Sequence, residues 1–261
     1  MPAKAGIQSL AKELGPRFRG DERKNRTAPI QLENTLNNAA HRRKTGAAPV
    51  LIVVEGASAA GKTTWCRRFA VGHALLESEP KRAAAPAGAS DLDPSDPVIA
   101  AQYWTEANSH RWATALAMSE ALGWVACDTD PFKLHWSWTL WVEGLASRAY
   151  WDACRELNRA AFANEALGLA DLVFFADLDD ATLRRQKASD TTRPRSRHEL
   201  HVRIAPALKR WYCAIAALDG ERVRFQLPAA GIDPAQLQLG PRPGRTGTDL
   251  FDRLMHELAK Q

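Results

Sequence analysis

The run Gly56-Ala-Ser-Ala-Ala-Gly61-Lys62-Thr63 has the spacing G-x-x-x-x-G-K-[ST], and it follows an apolar, β-branched stretch, Val50-Leu-Ile-Val-Val54. The next residues, Thr64-Trp-Cys-Arg-Arg-Phe-Ala70, read as the start of a helix. A buried strand, a loop of small residues and a helix N-terminus form the context in which this spacing makes a phosphate site. The residue types follow from that chemistry. Gly56 and Gly61 allow backbone geometry and close approach that a side chain would block. The amides between them point at phosphate oxygens, and the helix dipole adds to their attraction. Lys62 brings a mobile cation to the β- and γ-phosphates, and Thr63 supplies a hydroxyl to Mg²⁺. The nucleotide is therefore assigned to Gly56, Ala57, Ser58, Ala59, Ala60, Gly61, Lys62, Thr63 and Thr64. A chance glycine turn would have the spacing without the flanking strand and helix.

The 261 residues suffice for one large domain or two small ones. A hydrophobic content of 45% with 25% charged residues is that of an ordinary soluble globular chain. No apolar run approaches the roughly 20 residues needed to span a bilayer, and the N-terminus lacks the apolar core of a signal peptide. Cys66, Cys127, Cys154 and Cys213 have no metal-like spacing and read as buried thiols in a reducing compartment, so a cytoplasmic location is expected. The net charge of +5 is unevenly placed: residues 1–45 hold ten basic against four acidic residues, and residues 46–261 hold 25 against 26. Overall charge thus gives little support to nucleic acid as a partner of the folded part, and no membrane partner is expected.

Residues 1–45 read as a disordered basic tail, with a short polar helix allowed at 30–43. Met1–Gln8 followed by Arg17–Glu22 resembles a translated intergenic repeat of proteobacterial genomes. On that reading the start lies too early and the segment has no function. The first core strand covers 50–55, and His73–Pro80 reads as a second, short strand. Residues 81–97, rich in Ala, Pro, Gly and Asp, read as a mobile loop. Apolar spacing predicts a long helix over Val98–Leu122, with an interruption allowed, ended by Gly123. Trp124–Asp128 is a buried strand ending in an acid, 134–168 are helical with Gly168 as a cap, and Leu172–Asp177 is another buried strand. Helices are expected over 180–187 and 198–218, a last strand over Arg222–Leu227, a loop over 228–248 and a closing amphipathic helix over Asp249–Lys260. Strands alternating with helices predict an α/β three-layer sandwich with a parallel sheet of about five strands.

Transfer of a phosphoryl group needs a metal-positioning acid opposite the phosphate loop. Asp128, at the end of an apolar strand, is the first candidate, and Asp177 competes with it. Asp130 makes Asp128-Thr129-Asp130 an anionic cluster suited to water-held Mg²⁺ or to a substrate hydroxyl, although such acids also cap helices. Residues 181–210 hold nine Lys/Arg against Asp190 and Glu199, around a polar centre at 189–196. This basic, hinged segment fits a lid whose arginines arrive over the transferring phosphoryl. A solvated basic face or an acidic partner's docking patch is the plainer account. Seven of nine tryptophans lie in 104–151 and read as core, with Trp104 and Trp136 as candidates to stack on a base. Glu77 and Glu79 are candidates for a general base.

The order of these parts resembles the P-loop nucleoside and nucleotide kinases, above all the thymidylate-kinase-like and deoxynucleoside-kinase-like group. Glu79-Pro80 is similar to the Glu-Pro pair after that group's second strand. Gln102–Gly123 and Trp124–Asp128 resemble its long helix and the strand ending in Asp-Arg. Leu172–Asp179 with Arg184-Arg185 resembles its strand and arginine-bearing lid. The likeness spans about residues 48–227, and only the phosphate loop is a specific motif. Thr129 stands where the group usually has Arg, and Asp128-Thr129-Asp130 is similar to the Asp-Thr of nicotinamide-riboside-kinase-like proteins, which favours a non-phosphorylated acceptor. The resemblance implies ATP- and Mg²⁺-dependent phosphoryl transfer to a nucleoside, nucleotide or similar hydroxyl compound. It casts Lys62, Asp128, Arg184 and Arg185 as catalytic, Thr63 and Asp128 as metal ligands, and Glu79 and Asp130 as acceptor contacts. The expected organisation is the tail (1–45), a kinase domain (46–227) with a lid at about 181–210, and a C-terminal loop and helix (228–261) packed on it. Two other classes stay open: a P-loop ATPase or switch without an acceptor, and a nucleic-acid-binding ATPase. No Asn-Lys-x-Asp run that would read guanine is present. A homodimer is left open.

Overall fold

The computed structural model describes residues 48–77, 86–92, 94–190, 197–232 and 244–261. The expected tail and the Glu79-Pro80 pair lie outside the described residues. So do the centre of the basic segment at 191–196 and most of the loop before the closing helix.

The central strand β1 (Val50–Gly56) is buried along its whole length. It lies between β3 (Trp124–Asp128) and β4 (Leu172–Ala176), both parallel to it. Short β2 (Ala74–Leu75) and β5 (Val223–Arg224) complete a five-stranded parallel sheet in the order β2-β3-β1-β4-β5. Apolar runs, rather than alternating ones, form β1, β3 and β4 because helices cover both faces of a parallel sheet. The architecture is the α/β sandwich expected from the sequence. From β1 the chain first builds toward the β2 edge and later crosses to the β4 edge. Crevices at such a switch, beyond the carboxyl ends of the strands, are where open α/β sheets bind ligands.

Seven helices cover the sheet among the described residues. Helix α1 (Lys62–Phe69) follows the glycine loop directly. Helix α2 (Pro97–Leu122) is unbroken. Asp96 caps it by accepting from the amides of Val98 and Ile99, Pro97 sits in its first turn, and Gly123 ends it at φ 82°. The helical stretch expected over 134–168 is two helices, α3 (Leu134–Val142) and α4 (Arg148–Ala163). Gly144 at φ 68° turns the chain, and the Ser147 hydroxyl, accepting from the Tyr150 amide, starts the second helix. Gly168 does not cap a helix. It is a packing glycine, where a Cβ would lie 2.5 Å from the Arg245 carbonyl and 2.8 Å from the Trp112 ring. Helices α5 (Asp180–Ser189) and α6 (His198–Leu218) flank the centre of the basic segment. Helix α7 (Thr248–Leu258) buries Phe251, Leu254 and Leu258 in the main core. Cys66, Cys127 and Cys154 are buried free thiols. No helix among the described residues is long and apolar enough to cross a membrane.

Candidate functional site

The loop between β1 and α1 has the geometry its residues foretell. Gly56, at φ 142°, lies so close to β4 that a Cβ would stand 2.9 Å from both the Cβ and the carbonyl oxygen of Ala176. Gly61 meets nothing in space, but its φ of 82° lies in the left-handed region that glycine favours. Ala59 also adopts a left-handed conformation, φ 72°. Alternation of this kind turns successive amides inward and makes an anion-binding nest at the start of α1. Lys62, the first residue of α1, is largely buried. Its ammonium donates to the Gly56 carbonyl at 2.6 Å and the Ala57 carbonyl at 3.0 Å, and its side chain is 13% exposed.

At the end of β3, adjacent to β1, the Thr63 hydroxyl donates to Asp128 Oδ2 at 2.6 Å. Asp128 Oδ1 is buried and has no partner among the described residues. A hydroxyl beside a carboxylate with an open oxygen is a hard-oxygen donor set that fits Mg²⁺. No group of three or more His, Cys, Asp or Glu among the described residues could hold a metal ion. The competitor Asp177 pairs with Lys209 at 2.7 Å and does not line the cavity described below.

Thr129, a β-branched residue at φ 71°, turns the chain sharply after Asp128. The acid two residues on therefore faces the core instead of the crevice. Asp130 is 2% exposed, accepts from the Phe132 amide at 2.9 Å and from the Tyr212 hydroxyl at 3.1 Å, and does not line the cavity. Burial, with the nearby Glu55 charge, pushes its carboxyl up to about 7. The expectation that Asp130 grips an acceptor is thus corrected: it braces the turn into α3.

Glu55, which no sequence pattern singles out, ties the two halves of this region together. Its buried carboxylate accepts from the amides of Gly56 and Asp130, both at 2.9 Å, and lies 3.9 Å from the Lys62 ammonium. His135 Nε2 is 3.8 Å away, and burial lowers the imidazole's pKa, so that ring stays neutral. Arg111 on α2 was equally invisible in the sequence. Its guanidinium donates to the carbonyls of Leu75 at 3.1 Å, Leu76 at 2.8 Å and Asp128 at 2.7 Å, joining the ends of β2 and β3.

A cavity of about 680 Å³ opens from the glycine loop and continues between α2, α3, α4 and the start of α6. Its loop end is lined by Lys62, Thr63, Asp128, Arg111 and Glu77. Glu77 is ion-paired with Lys133 at 2.5 Å; partial burial would raise its carboxyl, but the ammonium outweighs that and holds it below the usual carboxylate range. The inner end is lined by Trp104, Thr105, Trp136, Tyr150 and Asn158. Both tryptophans singled out in the sequence thus reach the cavity. Each indole N–H is anchored at 3.1 Å to the backbone of residues 86–92, Trp104 to Ala89 and Trp136 to Asp91. Arg197, at the start of α6, closes the same side by donating to Asp91 at 2.7 Å.

Arg184 and Arg185 lie elsewhere. Arg184 is held on the exposed face of α5 by Asp180 at 2.8 Å and by Glu199 at 2.6 Å, and Arg185 donates to Thr182. Neither lines the cavity, whereas Arg197 of the same basic segment does. Glu79 lies outside the described residues.

No protein-family model and no curated protein matches the chain. Among solved structures, the chain is similar to a deoxyadenosine kinase from M. mycoides holding the products dCMP and a flexible dCDP. The identity is 16% and the TM-score 0.45, over 81% of this chain and 100% of that one. A deoxyadenosine kinase from M. mycoides with bound dATP is similar at 14% identity and TM-score 0.43, over 73% of this chain and 96% of that one.

Proposed function

We propose that the chain is an ATP- and Mg²⁺-dependent kinase that transfers a phosphoryl group to a hydroxyl of a small molecule. One observation carries the reading: the phosphate loop opens onto a cavity that continues well past it into a compartment lined by Trp104, Trp136 and Tyr150. A switch or simple ATPase needs room for a nucleotide and a water. It has no use for a further compartment walled by aromatic side chains. A nucleoside, nucleotide or similar planar compound with a hydroxyl suits that compartment.

In this reading the loop amides bind the triphosphate, and Lys62 exchanges its contacts with the Gly56 and Ala57 carbonyls for phosphate oxygens. Thr63 and Asp128 would hold Mg²⁺, which supplies charge neutralisation on the phosphates. Glu55 fixes the first loop amide and the Asp128–Asp130 turn relative to each other, and Arg111 fixes the ends of β2 and β3. Glu77, ionised at neutral pH, is one of the carboxylates lining the cavity and would take the acceptor hydroxyl's proton late, as its oxygen bonds to phosphorus and the bond to the ADP leaving oxygen breaks; its Lys133 partner makes it a weak base, which a proton that leaves late in the transfer tolerates. Arg197 is the basic-segment cation already at the cavity. Arg184 and Arg185 act on the phosphoryl group only if α5 swings inward.

The test is ATP, Mg²⁺ and a panel of nucleosides and related hydroxyl compounds incubated with the full chain and read by mass. The expected result is one compound heavier by one phosphoryl group, with ADP formed in equal amount. ADP formed at the same rate with no acceptor present would make the chain a P-loop ATPase.

A further inference from the structure

Resting on the acceptor compartment just proposed, we infer that Asn158 and Thr105 read the acceptor. Its far end is then a planar heteroaromatic group whose edge offers an N–H donor beside an acceptor atom. The inference starts from an amide whose orientation the structure fixes. Asn158 Nδ2 lies 2.8 Å from the Cys154 carbonyl and 3.1 Å from Thr105 Oγ1. A carbonyl can only accept, so the atom facing Cys154 must be the NH₂, and the two ends of this amide cannot be exchanged. Oδ1 is thereby assigned. It is buried, on a residue 3% exposed, and has no partner among the described residues.

A buried acceptor left open costs stability comparable to a lost hydrogen bond, so something that enters this space is expected to fill it. Asn158 lines the cavity, and a molecule in the inner compartment is what can bring the missing donor. Thr105 supplies the complementary half. Its hydroxyl oxygen accepts from Asn158, its own proton has no acceptor among the described residues, and it also lines the cavity. An open acceptor and an open donor thus stand side by side on facing helices, α4 and α2.

The surrounding walls set the rest of the ligand. Trp104 and Trp136 are held in place through their indole N–H groups, leaving ring surface for a flat partner. An amino group next to a ring nitrogen, as in adenine or cytosine, matches both the pair and the walls. A sugar or an aliphatic alcohol would leave the aromatic walls unused.

The test is binding, measured by calorimetry without turnover, so that it stands apart from the kinase question. Adenosine is compared with purine riboside, and cytidine with pyrimidin-2-one riboside; each second compound lacks only the amino group. The full chain is expected to prefer the amino compound of at least one pair by about tenfold to a hundredfold. In Asn158→Leu that preference should fall to near one, with ATP binding unchanged as the control for folding. Thr105→Val keeps the test decisive where the buried leucine prevents folding. It removes the donor and leaves Asn158 Nδ2 its bond to the Cys154 carbonyl, which still orients the amide, so a wild-type preference for adenosine over 1-deazaadenosine should disappear. Equal wild-type affinity within both pairs, as a buried water on Oδ1 would give, overturns the inference. So does a preference that survives both substitutions, or no binding of any nucleoside. An amino-group preference without phosphoryl transfer would sink the kinase and leave this inference standing; transfer without the preference would do the reverse.

Discussion

The two ends of the cavity are built in opposite ways. The loop end is made mostly of backbone from one continuous stretch, Gly56 to Thr63, with Asp128 brought alongside by a neighbouring strand. The inner end is made of side chains on separate helices: Trp104 and Thr105 on α2, Trp136 on α3, Tyr150 and Asn158 on α4. A triphosphate presents the same oxygens in every nucleotide, so fixed amides and one cation serve it. An acceptor varies in shape and edge, and only side chains from several directions can fit it. Changes at the loop end should therefore act on the rate, and changes at the inner end on which compound is used.

The comparison breaks most directly at Lys62. Lys62→Met keeps the side chain's bulk and removes its charge, and should lower turnover on the order of 10³-fold while circular dichroism and Tm stay near wild type. An active variant would remove the loop end from the chemistry altogether. Asp128→Asn keeps an acceptor for the Thr63 hydroxyl but halves the site's appeal to a dication. Turnover at limiting Mg²⁺ should fall on the order of 10²-fold and recover in part as Mg²⁺ is raised. A loss that no amount of Mg²⁺ restores would point to a structural role instead.

The basic segment sharpens the boundary between the ends. Arg197→Ala should lower kcat by roughly tenfold, because it removes a cation from the cavity wall. Arg184→Ala with Arg185→Ala should change it by roughly twofold or less, because exposed ion pairs on a helix contribute little. The opposite ranking in steady-state kinetics would mean that α5 moves during turnover and that the lid arginines act as the resemblance implies.

The smallest effect on turnover is expected at Asp130, which faces the core instead of the cavity. A carboxyl raised from 3.8 to about 7 on folding binds its proton more tightly in the folded chain. It therefore penalises the fold increasingly as pH rises from about 4 to about 7, and by a constant amount above that. Asp130→Asn, which keeps the acceptor for the Phe132 amide, should match wild type in Tm at pH 4. At pH 8 it should exceed wild type by roughly 10 °C, with the acceptor KM unchanged. A raised acceptor KM would return Asp130 to the cavity.

Particular residues show why some of this was readable in advance. The glycine loop, the alternation of strand and helix, the cap at Gly123 and the acid at the end of β3 all depend on local rules of backbone and burial, and those rules leave marks in neighbouring residues. The two acids of Asp128-Thr129-Asp130 looked alike in sequence. One faces the cavity and the other the core because Thr129 takes a left-handed turn, a conformation nothing in a threonine announces. Arg184 and Arg185 drew notice as adjacent charges, yet Asp180 and Glu199 neutralise Arg184, and the arginine at the cavity is Arg197.

The sequence by itself determined a parallel α/β fold and a glycine loop between its central strand and the first helix, because strand burial and the loop's φ angles constrain residues that are adjacent in the chain. Only the tertiary structure decided the rest. It brought Arg111 to the strand ends, set Glu55 between Gly56 and Asp130, and put Asn158 against Thr105 across 53 residues. Such contacts depend on how helices pack, and packing joins residues whose sequence separation encodes no signal of their meeting.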